Sequence, residues 1–138
     1  MKKILFLFLM LSTLSFSEVV KAKVIAVYGG DSFQVLIGNK KKNVKLYGIT
    51  APDQKESWGP KSKESLSLLL LNKNVSLEIK SQSNSGMSVI VYSGKENINM
   101  KMINSGNVRF IGKDAKFKEA QNKAKKNKAL SAKYNDFK

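Results

Sequence analysis

The strongest constraint on this chain is a succession of short alternating runs, each closed by turn residues. Val19–Tyr28 is rich in Val and Ala and ends at Gly29-Gly30-Asp31, a strong turn signal. Ser32–Ile37 sets Phe33, Val35 and Ile37 against more polar neighbours, the period of a half-buried strand. Gly38-Asn39 and Lys40-Lys41-Lys42 read as a polar, charged turn, Val44–Tyr47 reads as a third strand, and Pro52 stops the meander. After a loop holding Trp58-Gly59-Pro60, Lys61–Leu71 places Leu66, Leu69 and Leu70 at helical spacing. Val75–Lys80 and Ser88–Tyr92 alternate again, with Gly86 and a Ser/Asn cluster marking the hairpin between them. Asn99–Asn104 reads as a short helix ending at Gly106. Lys113–Lys128 reads as a closing helix with Phe117, Ala120 and Ala124 on one side and lysine nearly everywhere else. No internal repeat or low-complexity linker interrupts the pattern. The expected fold is β-dominated α+β. Five short strands with a helix between the third and fourth is the plan of an oligonucleotide/oligosaccharide-binding (OB) barrel, here with about three helices.

Residues 1–17 read as a secretory signal. Lys2 and Lys3 form the positive start, Ile4–Leu14 a mostly apolar run of 11 residues, and Ser15 and Ser17 the small residues before a cut at Glu18. That run is shorter than the ~20 residues a membrane span needs. Removal of residues 1–17 from the 138 leaves 121, one domain over residues 18–138 with a modest core. The expected product is an exported monomer, periplasmic or secreted, with no transmembrane segment after cleavage. The sequence has no Cys, so packing alone must stabilise it, and a lipid-modified cysteine is excluded.

The charge narrows the partners. There are 25 basic and 10 acidic residues, and losing Lys2 and Lys3 leaves a net charge of +13. Such an excess attracts polyanions, nucleic acid among them. Arg109 is the only arginine, so the chain has nearly given up the planar fork that grips phosphate through two hydrogen bonds.

Several motifs in one order resemble the thermonuclease (staphylococcal-nuclease-like) family. Gly30-Asp31-Ser32 is similar to its Gly-Asp-Thr turn. Val44-Lys45-Leu46-Tyr47-Gly48-Ile49-Thr50-Ala51-Pro52-Asp53 resembles its Val-Arg-Leu-x-Gly-Ile-Asp-Ala-Pro-Glu signature. Trp58-Gly59, Ser85-Gly86-Met87, Asn97-Ile98-Asn99 and the stretch from Ala120 to Leu130 fall where the family has an aromatic-Gly pair, Tyr-Gly-Arg, Asn-Val-Asn and a closing Ala-Lys helix. The resemblance covers roughly residues 20–135 and is far more specific than any single short pattern.

The resemblance implies a calcium-dependent phosphodiesterase: aspartates hold the metal, a glutamate activates water, and two arginines neutralise charge developing on phosphorus. Position by position, that set is degraded. Asp31 is kept as a metal carboxylate, although the Gly-Gly before it equally predicts a turn aspartate. Thr50 stands at the second metal aspartate, and Ala51 could offer only a backbone carbonyl. Any calcium held there would be held weakly, because affinity follows the ligand charge. Asp53 replaces the glutamate with a shorter reach, and a misplacement of about 1 Å can cost around a hundredfold in rate; Pro52-Asp53 equally reads as an ordinary loop and helix-start pair. Lys45 replaces the first arginine with a point charge. Met87 stands at the second and carries neither charge nor hydrogen bond, where losing one such stabiliser costs about 10²–10³ in rate. Ser83 and Ser85 replace an Asp and a Tyr, and Arg109 lies after Gly106, outside these motifs.

Three functions follow as expectations. The first is a nucleic-acid-binding barrel with weak or absent hydrolysis, using Lys40, Lys41, Lys42 and Lys45. Tyr28, Phe33, Tyr47 and Trp58 are candidate stacking platforms for it, with core packing the expected role of each. The second is an active calcium-dependent nuclease using Asp31, Asp53 and Lys45. The third is an exported scaffold or binder of other polyanionic surfaces.

Overall fold

The computed structural model describes residues 18–126. The expected signal segment and the end of the closing helix lie outside the described residues. β1 (Val19–Val27) and β2 (Ser32–Ile37) pair antiparallel, setting Val24 against Val35 and Val27 against Phe33. The register slips between Val24 and Ala26, and such a bulge bends a strand and raises its twist, as barrel closure needs. β3 (Lys40–Leu46) returns along β2, with Ile37 opposite Lys40. The turn is therefore only Gly38-Asn39, with Gly38 at φ +59°, a conformation glycine takes without steric cost. Lys40–Lys42, which read as part of the turn, are strand residues. A lysine run shows no apolar period, and the pairing with Val35, Leu36 and Ile37 fixes its conformation instead.

A two-residue β4 (Ile49–Thr50) precedes α1 (Gly59–Leu70), which starts with Pro60 in its first turn and buries Leu66 and Leu70. Proline is at home there because the first helical N–H has no partner to lose. β5 (Asn74–Ser83) pairs antiparallel with β1 and with β6 (Gly86–Ser93), and β6 runs parallel to β3 from Val44↔Met87 to Leu46↔Val89. That last pairing closes β1, β2, β3, β5 and β6 into a five-stranded barrel, the OB plan expected from the sequence. It demands glycine at position 86. A Cβ there would lie 2.7 Å from the Asn43 carbonyl oxygen.

Phe33, Val35, Leu46, Leu77 and Val89 fill the interior at no more than 2% exposure, each contributing roughly 1.5–3 kcal/mol by leaving water. β7 (Glu96–Asn97) leads into α2 (Ile98–Asn104), where the Asn97 side chain accepts from the Met100 N–H and caps the helix. β8 (Arg109–Phe110) pairs with β4 in a separate two-stranded ribbon. α3 (Ala115–Lys126) then packs Phe117, Ala120 and Ala124 inward, the face its periodicity marks.

Candidate functional site

A cleft of about 580 Å³ opens where β3 meets β6, beside the β1–β2 turn. Alternation along β3 builds its wall. Val44 and Leu46 point into the barrel, so Lys45 points out and stays exposed between Ser32 on β2 and Ser88 on β6. Met87, the first apolar residue of β6, sits opposite Val44 and is only 4% exposed. The position where the resemblance places an arginine is thus part of the hydrophobic floor. Ser81, Ser83 and Ser85 line the same cleft, and the Ser83 and Ser85 hydroxyls lie 2.9 Å apart.

Asp31 lies half-buried in the β1–β2 turn. Its backbone oxygen accepts from Leu46 N at 2.8 Å, and its carboxylate Oδ2 accepts from Ala51 N at 3.2 Å. One turn residue thereby ties β3 and the segment after β4 to the mouth of the barrel. Asp31 and the Thr50-Ala51 pair come together as the motifs suggest. Asp53 bonds locally. Its side chain is exposed, its Oδ1 accepts from Lys55 N at 3.0 Å, and its carbonyl accepts from Glu56 N at 2.9 Å. It shapes the turn before α1 and does not line the cleft. Lys40, Lys41 and Lys42 are exposed along β3.

Other residues take places the sequence did not give them. Arg109, set aside as lying outside the motifs, is directly opposite Thr50 in the β4–β8 ribbon. Tyr28 is 49% exposed and lines the cleft, and Tyr47 is 38% exposed with the Lys80 ammonium 5.8 Å from its ring. Core packing is therefore not the role of either ring, whereas Phe33 is fully buried. Trp58 is half-buried under the Lys61 ammonium, 4.5 Å from its ring centroid. Asn43 and Ile111 also line the cleft. Ile111 reaches it because its N–H donates to the Gly48 carbonyl at 2.7 Å, a contact no local pattern announces.

No acidic residue is among those lining the cleft. Among the described residues, no group of three or more His, Cys, Asp or Glu side chains could hold a metal ion. Calcium takes six to eight oxygen ligands, and carboxylates supply the charge that holds it. The Asp31 carboxylate reaches Thr50-Ala51 and already accepts a backbone hydrogen bond there. This donor set does not fit the calcium ion that the resemblance implies.

A closed five-stranded barrel with α1 between its third and fourth strands, and a basic, hydroxyl-lined cleft at the β3–β6 junction, defines a small OB-type domain. The family model described as staphylococcal nuclease homologue matches residues 43–130. A Haemophilus influenzae protein named "Uncharacterized endonuclease" is 36% identical over 105 residues, which span 75% of this chain and 58% of that protein. The chain belongs to the staphylococcal nuclease family.

Proposed function

We propose that this nuclease-family barrel binds nucleic acid in the β3–β6 cleft and hydrolyses phosphodiesters weakly or not at all. The observation that carries the reading is a cleft lined by a lysine, several serines and an exposed tyrosine, with no acid. Lys45 supplies a charge for phosphate, the hydroxyls supply hydrogen bonds, and Tyr28 offers a face on which a base can stack. Cleavage needs in addition an activated water and fixed charge on the pentacoordinate phosphorus. Asp53 is not among the residues lining the cleft and Met87 is apolar, so the lining offers no carboxylate to activate water and Lys45 as its single fixed positive charge.

Residual metal-dependent cleavage is the second reading. It rests on the contact that brings Asp31 to Thr50-Ala51. In either case residues 1–17 are proposed as an export signal, so that the domain meets nucleic acid outside the cytoplasm.

The test is retention of a labelled single-stranded oligonucleotide in chelator by residues 18–138, with Lys45→Ala and Tyr28→Ala beside it. Salt-sensitive binding weakened by each substitution is expected. Binding indifferent to both would remove the cleft from the account.

A further inference from the structure

The lysines are unevenly placed. β1, β2 and β3 are contiguous in the barrel, carry Lys21, Lys23, Lys40, Lys41, Lys42 and Lys45, and contain no Asp or Glu. None of these six makes an ion pair among the described residues, whereas Lys80, Lys101 and Lys123 pair with Glu78, Glu96 and Glu119.

Strand alternation sorts the six. Val44 and Leu46 face the core, so Lys40 and Lys42 take their side of the β2–β3 hairpin, while Lys41, Asn43 and Lys45 take the outer side. On β1, Ala22 and Val24 are buried, which turns Lys21 and Lys23 outward. The register then aligns the two sets, because Leu36 of β2 lies opposite Lys23 on one flank and opposite Lys41 on the other. Lys45 and Asn43 line the cleft. From there Lys41 is about 14 Å from Lys45 along β3, Lys23 is about 10 Å further across two strand spacings, and Lys21 is about 7 Å along β1. The track runs from the cleft over the outer face of the sheet. It ends at the start of β1, where Glu18 and Glu78 lie near Val19.

We infer that this outer face of β1–β2–β3, through Lys41, Lys23 and Lys21, is a second contact surface that follows the phosphate backbone of a single nucleic-acid strand leaving the cleft. The inference rests on the cleft reading above and adds the path of the strand beyond it. A row of like charges with no compensating acid is destabilising in the free protein and is relieved by a polyanion. The half-buried Leu36 between Lys23 and Lys41 gives the sugar or base of the strand an apolar rest. Hydrated point charges without an arginine fork suit sequence-independent tracking.

The experiment measures affinity for a labelled oligonucleotide of about 12 nucleotides, within the span one OB barrel covers, as salt is varied in chelator. It compares the unsubstituted protein (residues 18–138) with Lys21→Gln/Lys23→Gln/Lys41→Gln, and with Lys63→Gln/Lys95→Gln/Lys118→Gln. The second triple removes equal charge from exposed sites elsewhere. Each backbone contact to a single strand adds about 0.7 to the slope of log affinity against log salt. The first triple should therefore flatten the slope by about 2, with each single substitution giving about a third of that, and the control triple should change it little. Equal changes in both triples would overturn the inference and leave only total charge. An unchanged slope in the first triple, with binding intact, would overturn this face and spare the cleft. No binding by the unsubstituted protein, with retention on anionic vesicles, would overturn both.

Discussion

The polar groups that pin the frame are buried and bonded within the protein, whereas the polar groups around the cleft are open to solvent. Asn99 on α2 is fully buried; its Oδ1 accepts from Val91 N, and its Nδ2 donates to the carbonyls of Val89 and Tyr47. One amide thus locks α2 to β6 and to the end of β3. Gln121 on α3 brackets Phe110, accepting from its N–H at 2.6 Å and donating to its carbonyl at 3.3 Å. Asn107 donates to Ser65 and Ser105 and accepts from Trp58 Nε1. Around the cleft, Lys45 is exposed, and Ser83 and Ser85 are exposed and bonded to each other. A buried amide left without partners is costly, so the frame permits little change. The exposed polar residues of the cleft owe the barrel little, so their chemistry can change while the fold stands. Met87, like Phe33, Val44 and Leu46, belongs to both the cleft and the core.

Among substitutions in these two regions, Asn99→Ala should have the largest effect. It strips three hydrogen bonds, two of them from buried backbone groups of β6, and should cost about 3–5 kcal/mol in denaturant unfolding. A loss under about 1 kcal/mol would show that the frame is not pinned as described. Met87→Ala follows, at about 2–4 kcal/mol for a buried methionine, with oligonucleotide affinity kept once the protein is folded. Thr50→Asp tests the metal reading. It adds a carboxylate beside the one that accepts from Ala51 N, so calcium should raise the melting temperature of the variant and leave that of the unsubstituted protein unchanged. The smallest effect belongs to Glu119→Gln, which removes an exposed pair with Lys123 on α3 and should change stability by less than about 0.5 kcal/mol.

Much of the frame was legible because its strands and helices are long enough to show a period. Phe33 and Val35 on β2, Leu66 and Leu70 on α1, and Phe117, Ala120 and Ala124 on α3 are buried where the spacing puts them. β4, β7 and β8 have two residues each, too few for any period to appear, and only pairing partners define them. The same distance hid the neighbours of the site. Arg109 and Thr50 are far apart in sequence and meet only through the β4–β8 ribbon. The exposure of Tyr28 and Tyr47 was also illegible, since an aromatic at a strand end has the same letter whether it faces core or solvent. The motif positions were visible as substitutions, but their geometry was not. That Met87 would become floor is a product of packing, whereas the turn that Asp53 makes before α1 is local and was readable in Pro52-Asp53 as a loop and helix-start pair.

The most direct test of the account is cleavage of labelled single- and double-stranded DNA by residues 18–138, in millimolar calcium and in chelator, read on a denaturing gel. Intact label is expected in both, alongside salt-sensitive binding that does not require the metal. Calcium-dependent cutting that disappears in Asp31→Ala would contradict it, and would show that Thr50 and Met87 still leave a working site.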